Sequence, residues 1–447
     1  MPAIITNKFR IHNAEMFEEE FGESSQQFYL GLGRISSWTD DTSPDTPTDT
    51  FNDIDIGHLW DDMIAAKEIP TTQIEAVTRR VDWTSGTVYK MYEHDNSSLF
   101  DQDFYVLTED YNVYKCIQNG TVLTAGSAST VASTVKPDHT TPNTTPTESD
   151  GYRWRYMYTI TSANLLKYLT PDWMPVLSHS NSAADTTAGS VKTVLVTAAG
   201  SGYTDGSISI TVDSADGSNF AGTATVSSGA VTAFSITNEG QDYSQLSLSL
   251  SSGSGTGATF KPIISPNPRL AAGGHGYALE EELGAFYRML NVRLEYGEST
   301  TITTANDYRR LLLIKNPYTF GSTTIATATN YRQTQRLTIG SASGTFSADE
   351  TITGATSGAT AKVVEWDSSN AYLYVTDSDV VEGVKSAWTN GETLTGGTSS
   401  VTGTYTSGSV NNPGLQPQSG KILYVENRSP IARSSDQIED IKLVIEF

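Results

Sequence analysis

The chain has 447 residues, enough for roughly three domains and a well-packed core. Its 28 Lys and Arg against 51 Asp and Glu leave a net charge of −23, which repels phosphates and anionic membranes and argues against direct nucleic-acid binding. A single cysteine, Cys116, rules out an intrachain disulfide, and no apolar run reaches the ~18–20 residues that span a bilayer.

The start, MPAIITNKFRIHNAEMFEEE, has neither the basic lead nor the apolar stretch of a secretory signal, so synthesis and folding in a cytoplasm are expected. Residues 8–21 predict a helix, with Phe9, His12, Met16, Phe17 and Phe21 on one face and Glu15 and Glu18 to Glu20 outward. FYLGLGRISSW (28–38) reads as a strand ending in a turn, and the Pro/Asp/Thr-rich 39–53 as an exposed loop. A short helix is predicted at 57–66, stopped by Pro70. From 77 to 118 the period falls to two, with Glu109 to Asn112 placed as a hairpin turn. Residues 123–151 form a Ser/Thr/Pro linker, and YRWRYMYTI (152–160) returns as a strand. Tyr152, Trp154, Tyr156 and Tyr158 share one of its faces, and Arg153, Arg155 and Met157 the other. LEEELGAFYRMLNVRLEY (279–296) starts as a helix and ends as a strand, DYRRLLLIKNP (307–317) is a buried strand, and 421–447 supplies two more.

Two gapped self-repeats interrupt this frame. VLVTAAGSGYTDGSISITV (194–212) returns as FSITNEGQDYSQLSLSL (234–250), and FSADETITGATSGATAKV (346–363) as WTNGETLTGGTSSVTGTY (388–405). Copies about forty residues apart suit one small β-unit each. In the first pair Gly200-Ser-Gly-Tyr203 matches Gly240-Gln-Asp-Tyr243, a turn with φ > 0 followed by a Tyr packed on a small core. The second pair repeats Phe346/Trp388, Glu350/Glu392 and Gly354/Gly396. The expected fold is mainly β with a few helices: a multi-part, β-sandwich-like frame carrying two inserted modules of short strands. The boundaries are 1–185 (frame), 186–262 (module), 263–336 (frame), 337–410 (module) and 411–447 (frame).

Chemistry-bearing motifs are few. Six histidines, at 12, 58, 94, 139, 179 and 275, are scattered without metal-ligand spacing. GGHGY (273–277) lacks the Lys-Ser/Thr of a phosphate loop and reads as a flexible turn before a 279–290 helix. DIDIG (53–57) and DSADG (213–217) resemble pieces of calcium loops without the closing glutamate, and Asx-rich turns are the better reading. No catalytic residues, cofactor or metal are assigned. TRRVDW (78–83) is the most specific local cluster. There Asp82 should take Arg79 or Arg80 in a bidentate pair beside a buried Trp83, with an arginine reaching an acidic partner as the functional alternative.

NKFR (7–10), LGLGRISSW (30–38), LWDDMI (59–64), TRRVDW (78–83), YRWRYMYTI (152–160) and VENRSPIARSSDQIEDIKLVIEF (425–447) occur in this order. Together they resemble the baseplate wedge subunit of T-even-like contractile-tailed bacteriophages, of the gene product eight type, over roughly 1–185, 263–336 and 411–447. The resemblance implies a largely β, non-enzymatic virion protein of the tail baseplate. It implies a homodimer that holds neighbouring wedge proteins and joins the rearrangement that triggers sheath contraction. Arg79, Arg80, Asp82, Trp83, Asn427 and Arg428 are the structural or interface candidates. The inserted modules depart from the best-known members, and the alternative role is a tail adhesin that holds host-surface glycan through those modules.

Overall fold

Alternating aromatic, β-branched and polar residues favour extended backbone through most of the chain, and the protein is mainly β. The computed structural model describes residues 3–48, 56–120, 131–141, 144–177, 187–251, 254–267, 273–377, 380–381, 384–406 and 412–447. First come helix α1 (Asn7–Gly22), strands β1 (Phe28–Gly33), β2 (Met63–Glu68), β3 (Ile74–Arg79), β4 (Tyr105–Leu107), β5 (Asn112–Asn119) and β6 (Tyr152–Thr159), helix α2 (Ser162–Tyr168) and β7 (Trp173–Pro175). Six strands follow: β8 (Val191–Ser201), β9 (Gly206–Ala215), β10 (Ser218–Ser227), β11 (Ala230–Gln241), β12 (Leu246–Leu250) and β13 (Thr256–Ile264). Helix α3 (Leu279–Leu283), β14 (Tyr287–Glu295), β15 (Tyr308–Lys315) and β16 (Asn330–Arg332) come next. Then come β17 (Gln335–Gly340), β18 (Thr351–Gly354), β19 (Thr360–Asp367), β20 (Tyr372–Val375), β21 (Val380–Val381), β22 (Val384–Lys385), β23 (Thr393–Gly396) and β24 (Thr402–Tyr405). The last two strands are β25 (Lys421–Ile431) and β26 (Ile438–Glu446).

These elements form two compact units. One comprises Met1–Glu15, Glu75–Met289 and Val444–Phe447, the other Met16–Ile74 and Leu290–Leu443. In the first, β4-β5-β6 is an antiparallel sheet whose hairpin turns at Glu109 to Asn112, with the Thr108 N–H donating to the Asn112 carbonyl at 2.9 Å. Trp154 is fully buried, stacked on Tyr152 at 5.5 Å and edge-on to Tyr89 at 5.4 Å. Arg155 and Met157 are fully buried as well, so both faces of β6 are covered.

The 187–264 segment of this unit holds a four-stranded sheet, β11-β10-β9-β12, and the antiparallel pair β8-β13. Its strands run to twelve residues where short ones were expected. Bulges at Ala221/Gly222, Thr225/Val226 and Thr259/Phe260 add twist, which lets long strands stay wrapped around a small core. Gly200 and Gly240 take φ of 64° and 65°, and a Cβ there would lie 2.7 and 2.6 Å from the rings of Tyr203 and Tyr243. Each tyrosine hydroxyl accepts a backbone N–H from the strand paired with the one it follows: Ala258 on β13 to Tyr203 at 3.2 Å, and Phe220 on β10 to Tyr243 at 3.0 Å. Gly202 and its counterpart Asp242 are both left-handed, at φ 76° and 62°.

In the second unit, β16-β2-β1-β15-β25 is an antiparallel sheet over a core that includes Tyr29, Trp60, Met63, Leu312 and Ile314. The helix expected at 57–66 is a single 3-10 turn, His58–Trp60, followed by β2. Met63–Glu68 has helix-favouring residues, but β1 and β16 pair with it on both sides, and that pairing outweighs intrinsic preference. Residues 335–405 contain a closed barrel, β17-β20-β19-β18-β23-β24, filled by Leu337, Ile339, Phe346, Ile352, Val363, Leu373, Leu394 and Tyr405. Here the two copies exchange carboxylates. Glu350 accepts the Thr398 and Ser399 N–H groups at 3.0 and 2.8 Å, and Glu392 accepts those of Thr356 and Ser357 at 3.0 and 2.9 Å. A Cβ on Gly396 or Gly354 would lie 2.6 Å from the Glu350 or Glu392 carboxylate oxygen, so the repeated glycine is the gap each carboxylate enters. Burial alone would raise both carboxyls, but the donors around them outweigh it and hold both below the ordinary value.

The predicted helix forms as α1, and its buried face matches the predicted one only at Phe17 and Phe21. Ile11, Ala14 and Phe21 are buried, whereas Phe9, His12 and Met16 are exposed. Side-chain anchors set the rotation. Arg10 bonds Glu446 at 2.5 Å and lies 4.3 Å over Phe286, and Phe21 stacks on Phe28 at 3.8 Å. Apolar periodicity alone carries no such information.

Candidate functional site

The sequence-predicted residues form two sets, four in one unit and two in the other. Arg79 closes β3 and pairs with Asp103 at 2.7 Å. Arg80 donates Nε to Asp82 at 2.8 Å and Nη1 to the Thr170 carbonyl at 3.0 Å. The expected bidentate pair is therefore a single bond. Trp83 is half-buried rather than buried, with its indole N–H donating to Ser133 Oγ at 3.1 Å. On β25, Asn427 accepts from Arg310 Nε at 3.0 Å and donates to the Asp45 carbonyl at 2.8 Å. Arg428 pairs with Glu426 at 2.9 Å, and its carbonyl accepts the Trp38 indole N–H at 3.0 Å. All six residues hold this chain together locally.

Sequence reasoning missed a buried charge cluster. Lys115 on β5 is fully buried and paired with Glu282 on α3, and His275 lies beside them with Nδ1 3.7 Å from the carboxylate. Glu282 also accepts the Gly276 N–H at 2.7 Å. The GGHGY loop, expected to be a flexible turn, is thus pinned at its middle. His275 packs edge-on against Tyr92 at 4.9 Å, and α3 ends at Leu283, well short of 290. Burial works to raise the Glu282 carboxyl, but Lys115 and then His275 bring it down to about 2. Burial, reinforced by the Lys115 charge, lowers His275 to about 3. At neutral pH the cluster is a Lys115–Glu282 ion pair with a neutral imidazole. Neither group titrates near the range a general acid or base needs.

Next to this cluster is a cleft of about 530 Å³, whose floor includes Leu99, Phe100, Ile264 and Pro266. Tyr92 lines it. His94 Nδ1 accepts the Ile264 N–H at 3.3 Å, which leaves the Nε2 proton as a donor. Glu93 on its wall is paired with Lys261 at 2.6 Å. The Tyr92 ring is taken up by Lys115, 4.8 Å from its centre, and by His275 at its other contact. Shape and volume suit a small ligand or a side chain, but Tyr92 is buried and gives a sugar little ring to stack on.

Among the described residues no group of three or more His, Cys, Asp and Glu is placed to hold a metal ion. In DSADG, Asp216 accepts from the Ser244 and Gln245 N–H groups at 2.8 and 3.1 Å, and Asp213 accepts from Ser249 at 2.7 Å. These contacts reach residues 28 to 36 positions away, so the two carboxylates are held between segments rather than in the local Asx-type turn expected there. Most of DIDIG, His179 and much of the 123–151 linker lie outside the described residues. Among the described residues no helix is long and apolar enough to cross a membrane. No family model matches the chain, and no curated protein matches it.

Proposed function

We propose that the chain is a structural component of the tail baseplate wedge of a contractile-tailed phage. In this reading it is not an enzyme. It sits in the virion, pairs with a second copy, holds neighbouring wedge proteins and takes part in the baseplate rearrangement on infection. One observation carries the reading: two of the segments that resemble the wedge family are bonded to other parts of the frame. LGLGRISSW supplies β1 and the Trp38 indole that bonds the Arg428 carbonyl, and VENRSPI supplies β25 and the Asn427–Arg310 contact. The likeness therefore falls on building elements, and the chain's charge of −23 suits assembly against basic partner surfaces. Interfaces of that permanence bury on the order of 2,000 Å² or more.

The test is cryo-electron microscopy of particles from the source lysate with this chain fitted to the map. Density for it in the six baseplate sectors is the expected result. Density in a fibre, or none in the particle, would overturn the reading. The cleft beside the first module favours a second reading, a host-glycan adhesin, which the covered Tyr92 ring keeps in second place. Deleting 187–262 separates the two: normal particles that fail to adsorb point to adhesion, and lost particles to structure.

A further inference from the structure

The N-terminal part of the helix face that the apolar pattern marks, Phe9, His12 and Met16, is left in solvent, while Phe17 is half-buried and Phe21 buried. Phe9 is 52% and Met16 47% exposed, and in the lead-in to the helix Ile4 and Ile5 are 86% and 68% exposed. These are four of the twelve large apolar side chains exposed among the described residues, and they fall within thirteen residues of chain. Phe9, His12 and Met16 stand at i, i+3 and i+7 and so share a face. This is no frayed end: Thr6 Oγ1 accepts the Phe9 N–H at 3.2 Å, and Arg10 is clamped by Glu446 at 2.5 Å. Glu15 and Glu19 border the stripe, and Lys8 is already paired with Glu281 at 3.0 Å. The surface is apolar with an acidic margin.

Contiguous exposed apolar surface on an otherwise polar protein marks an interaction site, and anchors at i, i+3 and i+7 are how a helix lies in a groove. We propose that Ile4, Ile5, Phe9, His12 and Met16 dock into an apolar groove rimmed by Lys or Arg on a neighbouring protein of the particle. The acidic margin and the net charge of −23 select the basic rim. The inference rests on the structural role proposed above.

Cys116 is fully buried, so an introduced thiol is the accessible one. The full-length Ile5→Cys and Phe9→Cys variants would be labelled with a maleimide both as isolated chain and in intact particles. Leu166→Cys, at a site 82% exposed on α2, serves as comparator. The expected result is labelling at least about tenfold slower in particles at positions 5 and 9, with position 166 unchanged. Equal rates in both settings would overturn the docking proposal. So would protection that appears in the isolated chain and grows with its concentration, because the occupant would then be a second copy. Absence of the chain from particles defeats the wedge role itself, whereas its presence with unprotected thiols defeats only this inference.

Discussion

The two repeat modules meet the same need by different chemistry. Each folds one copy of a β-unit against another, and each requires a side-chain tie between strands that fixes their register. In the first module the tie is neutral: a left-handed glycine lets a tyrosine fold back and offer its hydroxyl to an N–H of the adjoining strand. In the barrel the tie is an ionised carboxylate that enters the gap left by a glycine of the other copy. Glycine recurs in both, once for its backbone and once for its missing side chain. A repeated residue type therefore does not by itself reveal what is being repeated.

The largest expected effect comes from the backbone. Gly240→Val places a branched side chain at φ 65° against Tyr243 and the Phe220 nitrogen. It should cost about 3–6 kcal/mol, seen as lost hydrogen-exchange protection across β8–β13 with the barrel unchanged. Retained protection would show that the turn is not what holds the copies together. Next come Glu350→Ala and Glu392→Ala, each expected to cost about 3 kcal/mol by stranding several buried donors. A large mismatch in their unfolding midpoints would break the symmetry argument. Gly354→Ala should be partly rescued by Glu392→Ala, while Gly240→Ala should gain nothing from Tyr243→Phe.

Acid sharpens the contrast. Glu350 and Glu392 sit below their ordinary value of 4.5 when folded. The unfolded chain takes up protons first, and the stability they provide is lost as pH falls below about 4.5. The barrel should loosen there before the first module does, and the Glu350→Gln/Glu392→Gln variant should abolish the difference. Equal acid sensitivity of both modules would contradict this. The smallest effects come from the tyrosine hydroxyls: Tyr243→Phe should cost about 1–2 kcal/mol for a buried acceptor, and Tyr203→Phe less, because that bond is only part-buried. The reverse order would show that burial does not set the strength of this tie.

What could be read from the sequence was what repeats or alternates locally. The Gly–Tyr and Glu–Gly signatures lie within a few residues, so their spacing survived as pattern. The EDYN hairpin was legible for the same reason. The Lys115–Glu282 pair joins residues 167 positions apart, and neither neighbourhood announces the other. Arg80–Asp82 is a sequence neighbour and was anticipated, while Arg79–Asp103 was not. β2 was misread because its partners, β1 and β16, decide its conformation.

The placement of β1 also has a consequence for synthesis. It is the middle strand of its sheet, and Tyr29 pairs with Ile314, which the ribosome reaches only after the whole first module. β25 follows only after the second. At about 5–20 residues per second the wait between β1 and β15 is on the order of tens of seconds. Both modules have local partners and can fold as they emerge, while β1 keeps an unpaired edge of the kind that nucleates aggregation. Module length thus acts on the nascent chain more than on the finished fold: each added residue prolongs the time a chaperone must shield that edge.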